Sequence, residues 1–182
     1  HLIVSVETAD GYASNSIIEI QIGTPTVYDP VGPGAYGYYI YDSGDINYLL
    51  APTYNWVEVD SRYDGNGTHL SSLTDSGNNQ DDVETINLPF TFRFYGQEYD
   101  EISVCSNGWI AMGDTDMESF RNYELPGMGG PGAMIAAFWD DLKLTSQGRV
   151  YTWHDAVQKK FYIQWSRVRT YQNNSTETFQ IV

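Results

Sequence analysis

The 182-residue sequence has few of the residues that catalytic sites and covalent cross-links require. Its one cysteine, Cys105, cannot form an internal disulfide. Three scattered histidines do not predict a zinc site, and HExxH, G-x-S-x-G and phosphate-binding glycine motifs are missing. No apolar run approaches the roughly 18 residues of a membrane-spanning helix. The sequence therefore predicts neither these enzyme classes nor membrane insertion.

Positive charge is also scarce, because 9 Lys and Arg residues stand against 24 Asp and Glu residues. The net charge is −15, the pI is about 4.2, and only three residues are lysine. Nucleic acids and anionic lipids are recognised through basic patches. We therefore expect neither of them as a partner.

Short apolar segments with a period of two dominate the rest of the sequence, which is 41% hydrophobic and 15% aromatic. Alternation of this kind predicts strands, and no segment has the periodicity of an amphipathic helix. The sequence predicts an all-β fold, an antiparallel β-sandwich or jelly roll. The run "MIAAFW", residues 134–139, predicts a central strand covered on both faces. The clearest alternations are Ile18, Ile20 and Ile22; Leu88, Phe90, Phe92 and Phe94; and Phe161, Ile163 and Trp165.

The amino-terminal part predicts a separate element. Residues 1–23 resemble a β-hairpin that turns at Asp10-Gly11, and three prolines between residues 24 and 34 favour a linker. Residues 35–182 would then form the β-sandwich module. A lone hairpin is marginal in water, so it must pack on this module, complete a neighbouring domain or pair with another chain.

The segment "SVCSNGWIAMG", residues 103–113, holds the cysteine next to Asn107-Gly108, a favoured pair for tight hairpin turns. A nucleophilic thiol needs a nearby base. The candidate bases are His1, His69 and His154, none of which lies close in sequence. We therefore predict that Cys105 is a buried strand residue near a turn.

Three loops rich in carboxylate and amide oxygens favour calcium, which takes six to eight oxygen ligands. The alternative is that they are ordinary solvated turns, since Asx-Gly runs form turns readily. The loops contain Asp42, Asp45 and Asn47; Asp60, Asp64, Asn66 and Thr68; and Asp75, Asn78, Asp81 and Asp82.

The adjacent carboxylates Asp140 and Asp141 cannot clamp one glycosidic bond if they lie on a strand, because neighbouring strand residues point to opposite faces. An enzyme would require convergence across strands, such as Asp140 facing Glu84 or Glu98. Exposed aromatic residues would instead indicate sugar binding. The candidates are Tyr36, Tyr38, Tyr54 and Trp56, although many aromatic side chains in β proteins are buried in the core.

Three stretches, "LPFTFRFYGQEYDEISVCSNGWIAMG", "MIAAFWDDL" and "GRVYTWHD", together resemble the nidogen-like pattern of extracellular proteins. They look closest to the version in large secreted bacterial proteins that also carry gingipain-like peptidase domains. The resemblance implies that Asn107 and Gly108 form a turn, that Trp109 and Trp139 lie in the core, and that Asp140 or Asp141 binds metal or anchors a loop. Residues 1–23 would resemble the end of an immunoglobulin-like domain.

The resemblance implies a non-catalytic extracellular interaction or adhesion module of a bacterial surface or secreted protein, with a surface protein or a glycan as partner. Two alternatives stay open. One is a carbohydrate-binding module of a secreted hydrolase. The other is a structural subunit that self-associates by strand addition at its terminal strands, unless those strands are completed within a longer protein.

Overall fold

The computed structural model describes residues 26–77 and 79–182 with their side chains, together with the backbone of strands 2–7 and 13–18. The chain divides into two compact units, His1–Asn55 and Trp56–Val182. In the first unit, β1 (Leu2–Glu7) pairs antiparallel with β2 (Ala13–Ile18). Asp10-Gly11, Ile20, Ile22 and the expected boundary near residue 24 lie outside the described residues, so the limits 1–23, 24–34 and 35–182 stay predictions.

The second unit is an antiparallel sandwich of two sheets, which confirms the predicted all-β class. One sheet has the order β4-β5-β6-β7. The other has the order β11-β10-β9-β3, with β8 also paired to β10. Its elements are a 3-10 turn (Ser61–Tyr63), β3 (Thr68–His69), β4 (Val83–Phe94), β5 (Gln97–Cys105), β6 (Trp109–Met112), β7 (Met134–Ala136), β8 (Leu142–Lys143), β9 (Arg149–Asp155), β10 (Lys160–Thr170) and β11 (Thr176–Ile181).

The main core lies between the sheets, and alternation along the strands supplies it. Trp165 of β10 has no exposed surface, stacks on Phe179 of β11, and donates from Nε1 to the Cys105 carbonyl at 3.0 Å. This bond links the two sheets directly, because Cys105 ends β5. The other fully or nearly fully buried members are Leu73, Ile102, Val104, Ile110, Leu142, Val150, Ile163 and Val168.

Strand β10 is buried on both faces, which the sequence did not predict. Its inward face enters the core, and its outward face is covered by residues 57–63. Gln164 has no exposed surface: its Oε1 accepts from Val59 N at 2.9 Å, and its Nε2 donates to Glu58 Oε1 at 2.6 Å. Ser166 Oγ donates to Asp60 Oδ2 at 2.6 Å. Buried polar groups thus fasten this segment to the sheet.

The prediction of a central strand at residues 134–139 is wrong. Only Met134–Ala136 are extended, as β7, and β7 lies at the end of its sheet in the described strand order. Phe138 N then bonds Gly108 O at 3.2 Å, and Asp140 N bonds Asn107 O at 3.4 Å. The chain leaves the sheet because it wraps around the β5–β6 turn.

Strand β4 departs from simple alternation. It contains Pro89, which lacks the N–H needed in a central strand and is tolerated at an edge or a bulge. Both conditions hold, since β4 is the first strand of its sheet and its register with β5 shifts between Asn87 and Phe92. Phe92, predicted to face the core with Phe90 and Phe94, is 37% exposed.

Candidate functional site

The β5–β6 hairpin is a structural junction, and it holds the Cys105 thiol away from solvent. Cys105 has no exposed surface. Burial raises the pKa of its thiol to about 12, although Asn107 and Ser106 act in the opposite direction. A thiol with such a pKa stays protonated at neutral pH and is a poor nucleophile. The environment fits the expected structural role of Cys105.

Asn107 connects three segments from a fully buried position. Its Nδ2 donates to Asp81 Oδ1 at 2.8 Å and to the Glu118 carbonyl at 3.2 Å, while its Oδ1 accepts from Leu142 N at 2.9 Å. Nearby, Trp109 and Trp139 both donate from Nε1 to the Ser119 carbonyl, at 2.8 and 2.9 Å. Both tryptophans are buried, as expected. They belong to a second, smaller hydrophobic cluster that is separate from the main core between the sheets.

Carboxylates gather around this junction. Burial raises the pKa of Asp75, Asp141 and Glu118, and like-charge repulsion from Asp81 raises each pKa further. Asp82 adds more than Asp81 does to the rise at Glu118. The pKa of Asp75 rises to about 6. Gly77 N donates to its Oδ1 at 2.8 Å, whereas its buried Oδ2 has no hydrogen-bond partner among the described residues. We call Asp75, Asp81, Asp141 and Glu118 the acidic cluster.

The predicted metal residues are only partly brought together. Asp75, Asp81 and Asp141 interact within the acidic cluster, and Asp140 adds to the repulsion on Asp141. In the described residues, no three His, Cys, Asp or Glu side chains are arranged to hold a metal ion. Calcium binding stays a prediction.

The other two predicted loops carry their carboxylates in structural contacts or at the surface. Asp42 and Asp45 form a turn of the first unit, in which Asp45 Oδ2 accepts from Asp42 N at 2.8 Å. Asp64 and Asn66 lie exposed after the 3-10 turn. Asn78 lies outside the described residues.

The carboxylates of Asp140 and Glu98, which the enzyme alternative requires to converge, lie far apart. Asp140 contacts the turn that follows Cys105, while Glu98 lies seven residues earlier on β5, about 23 Å away at 3.3 Å per residue. The Glu98 carboxylate instead pairs with Arg93 at the surface. Burial raises the pKa of Glu84, and repulsion from Asp82 adds to it. A glycosidase needs its pair roughly 5–10 Å apart.

The candidate sugar-binding aromatics are exposed: Tyr36 by 60%, Tyr38 by 42%, Tyr54 by 85% and Trp56 by 37%. The first three belong to the His1–Asn55 unit and Trp56 begins the next one. Exposure alone makes them available for a ligand.

An apolar pocket, which the sequence does not predict, opens between the two sheets. Its volume is about 300 Å³, and its lining includes Leu88, Phe90, Ile135, Phe161 and Ile181, together with Lys159 and Lys160. The adjacent pair Lys159-Lys160 is distinctive in a chain with three lysines, but such a pair does not by itself indicate a cavity.

The raised pKa values in the acidic cluster predict that the free energy of unfolding depends on pH. An acid whose pKa is raised in the folded state disfavours folding above that pKa, so stability should increase as pH falls from about 7 toward 4. Asp75→Asn should remove most of this dependence and raise the free energy of unfolding at pH 7.5 by roughly 2 kcal/mol. Urea unfolding at pH 7.5 and 4.5 measures it. Asp64→Asn, in an exposed turn, is the control; equal pH dependence in wild type and Asp75→Asn would contradict the assignment.

Comparison with known proteins assigns the chain to a family. A family model described as NIDO related matches residues 53–182, well over half of the chain. No curated protein and no solved structure gives a significant match. Within the described residues, no helix is long and apolar enough to cross a membrane. The matched range contains both sheets and the Asn107 junction, and it confirms the nidogen-like resemblance. The chain therefore belongs to the nidogen-related family of extracellular, non-enzymatic modules.

Proposed function

We propose that the protein is an interaction module on a bacterial cell surface, where it attaches to another surface protein through residues 27–54. Family membership supports an extracellular, non-enzymatic role. The attachment itself rests on one observation, the exposed apolar surface of this segment.

Ten large apolar or aromatic side chains between residues 27 and 54 are exposed. Val27 is 90% exposed, Tyr28 86% and Ile46 79%. Soluble proteins rarely leave extended apolar surface in water unless it serves binding, and aromatic side chains are enriched at protein interfaces. The full set is Val27, Tyr28, Val31, Tyr36, Tyr38, Ile40, Ile46, Leu49, Leu50 and Tyr54.

Side chains that carry catalysis in other proteins have structural partners here. Cys105 is buried and Asn107 bridges three segments. Asp60 is buried in an ion pair with Arg62 at 2.7 Å. These contacts favour binding over chemistry.

A glycan partner is the second candidate, because Tyr36, Tyr38 and Tyr54 are all exposed within the same segment. Exposed aromatic rings can pack against the apolar faces of sugar rings.

The two candidates separate in one binding experiment. The labelled chain is added to intact cells of the producing organism, to cells shaved with protease and to cells oxidised with periodate. We expect saturable binding that protease abolishes and periodate leaves intact. Loss after periodate alone would favour the glycan, and absence of saturable binding to untreated cells would contradict both.

A further inference from the structure

The apolar pocket between the sheets has features of a ligand site. It is lined by side chains of β4, β5, β6, β7, β10 and β11, so it extends from the surface to the main core. Ile102, Ile110 and Ile163 form its buried end and are at most 3% exposed. Its volume of about 300 Å³ lies at the lower limit of small-molecule sites, about 300–1,000 Å³.

The outer half of the pocket leaves apolar surface in contact with water. Leu88, Phe90 and Phe161 are only partly buried, and Phe92 is 37% exposed. Close packing normally closes the space between two sheets. Here the register of β4 with β5 shifts between Asn87 and Phe92, so side chains next to the pocket do not alternate regularly between the two faces of the sheet. A ligand with an apolar chain would cover these side chains.

Two lysines belong to the lining of the pocket, together with Val182, in a strongly negative chain. Lys159 and Lys160 are two of the three lysines, against 24 acidic residues. Both lysines are exposed, and among the described residues neither forms an ion pair. Lys159 lies in the β9–β10 turn with φ +55°, and Lys160 begins β10 opposite Asp155. Two unpaired ammonium groups beside an apolar cavity complement a ligand with an anionic head and an apolar tail.

We propose that this pocket binds a medium-chain fatty acid, with the alkyl chain between the sheets and the carboxylate at Lys159 and Lys160. A methylene group is similar in size to a water molecule, whose share of the liquid is about 30 Å³. The pocket therefore has room for roughly ten carbon atoms. This ligand is independent of the surface partner proposed for residues 27–54.

Calorimetric titration with decanoate, below its micelle concentration, tests the proposal. Decyltrimethylammonium, which has the same chain and a positive head, is the matched ligand. A chain of net charge −15 would favour the cation if binding were non-specific. We expect decanoate to bind saturably, at least about tenfold tighter than the cation, with an affinity that falls as salt rises.

Two variants distinguish direct contacts of Lys159 and Lys160 with the ligand from a general effect of positive charge on decanoate affinity. Lys159→Gln/Lys160→Gln should weaken decanoate binding about tenfold or more, whereas Lys143→Gln, at the third lysine, should leave it within about twofold. Lys143 lies outside the pocket, beside the Tyr171 ring at 5.3 Å. No saturable decanoate binding, equal binding of the cation, or an unchanged affinity in the double variant would each overturn the proposal.

Discussion

Gly108→Ala is expected to destabilise the protein by more than about 4 kcal/mol, enough to unfold a domain of ordinary stability. Gly108 adopts φ +81°, a conformation that costs an L-residue about 1–2 kcal/mol. An added Cβ would also lie 2.0 Å from the Phe138 carbonyl oxygen. Relief of that overlap would move residues 138–142, which the junction holds through Asn107 and Gly108.

Gly113→Ala is the matched control, since Gly113 has the same φ of +81° but its nearest neighbour to an added Cβ is Tyr99 at 3.7 Å. This variant isolates the backbone strain, so its loss should stay near 1–2 kcal/mol. Urea unfolding of both variants gives the comparison. Equal losses at the two glycines would show that the close approach of residue 138 to the turn is wrong.

Asp60→Asn should have the second-largest effect, a loss of about 3–5 kcal/mol at pH 7. Asp60 has no exposed surface. Its Oδ1 accepts from Arg62 N and Nε, at 2.9 and 3.0 Å, and its Oδ2 accepts from Arg62 Nη2 and Ser166 Oγ. An amide turns one of these acceptors into a donor facing other donors, and it leaves the Arg62 guanidinium without its counter-charge.

The pH dependence of this loss gives an independent check. Burial acts to raise the pKa of Asp60, but the hydrogen bonds from Arg62 and Ser166 outweigh it and hold that pKa well below its usual range. The ion pair therefore stabilises the fold above the unfolded pKa of about 3.9, and its contribution fades as pH falls below that value. The difference between wild type and Asp60→Asn should shrink from pH 5 to pH 2.

Glu98→Gln is the control for Asp60→Asn, because it breaks an ion pair with Arg93 that is exposed on both sides. Exposed pairs contribute about 0–1 kcal/mol. Chemical denaturation of the two variants should therefore give losses that differ severalfold. A similarly small loss of unfolding free energy in both variants would mean that Asp60 does not hold residues 57–63 against β10.

The elements that local chemistry determines were predictable from the sequence. Asn107-Gly108 favours a tight turn, and the structure has a three-residue turn, Ser106–Gly108, between β5 and β6, in which Gly108 has the positive φ. Alternation at Phe161, Ile163 and Trp165 predicted β10 because side chains on a strand reverse every residue. Each of these patterns spans only a few residues, so it can be recognised without knowing which distant segment packs against it.

Features that depend on distant segments were missed. Gln164 and Ser166 have the pattern of solvent-facing strand residues, yet they are buried because residues 58–60 return more than 100 positions away in sequence. Phe138 and Trp139 extend an apolar run, but contacts to Gly108 take the chain out of the sheet. The acidic cluster combines loops that lie far apart in the sequence, since only the fold places Asp75 near Asp141.

The most direct test of the interaction surface compares two double variants for binding to intact cells of the producing organism. Ile46→Ser/Tyr54→Ser removes side chains that are 79% and 85% exposed in the proposed surface. Met128→Ser/Val157→Ser removes side chains that are 100% and 92% exposed in the Trp56–Val182 unit. We predict that the first variant loses at least about tenfold in affinity while the second binds like wild type. Equal binding by both variants would contradict attachment through residues 27–54.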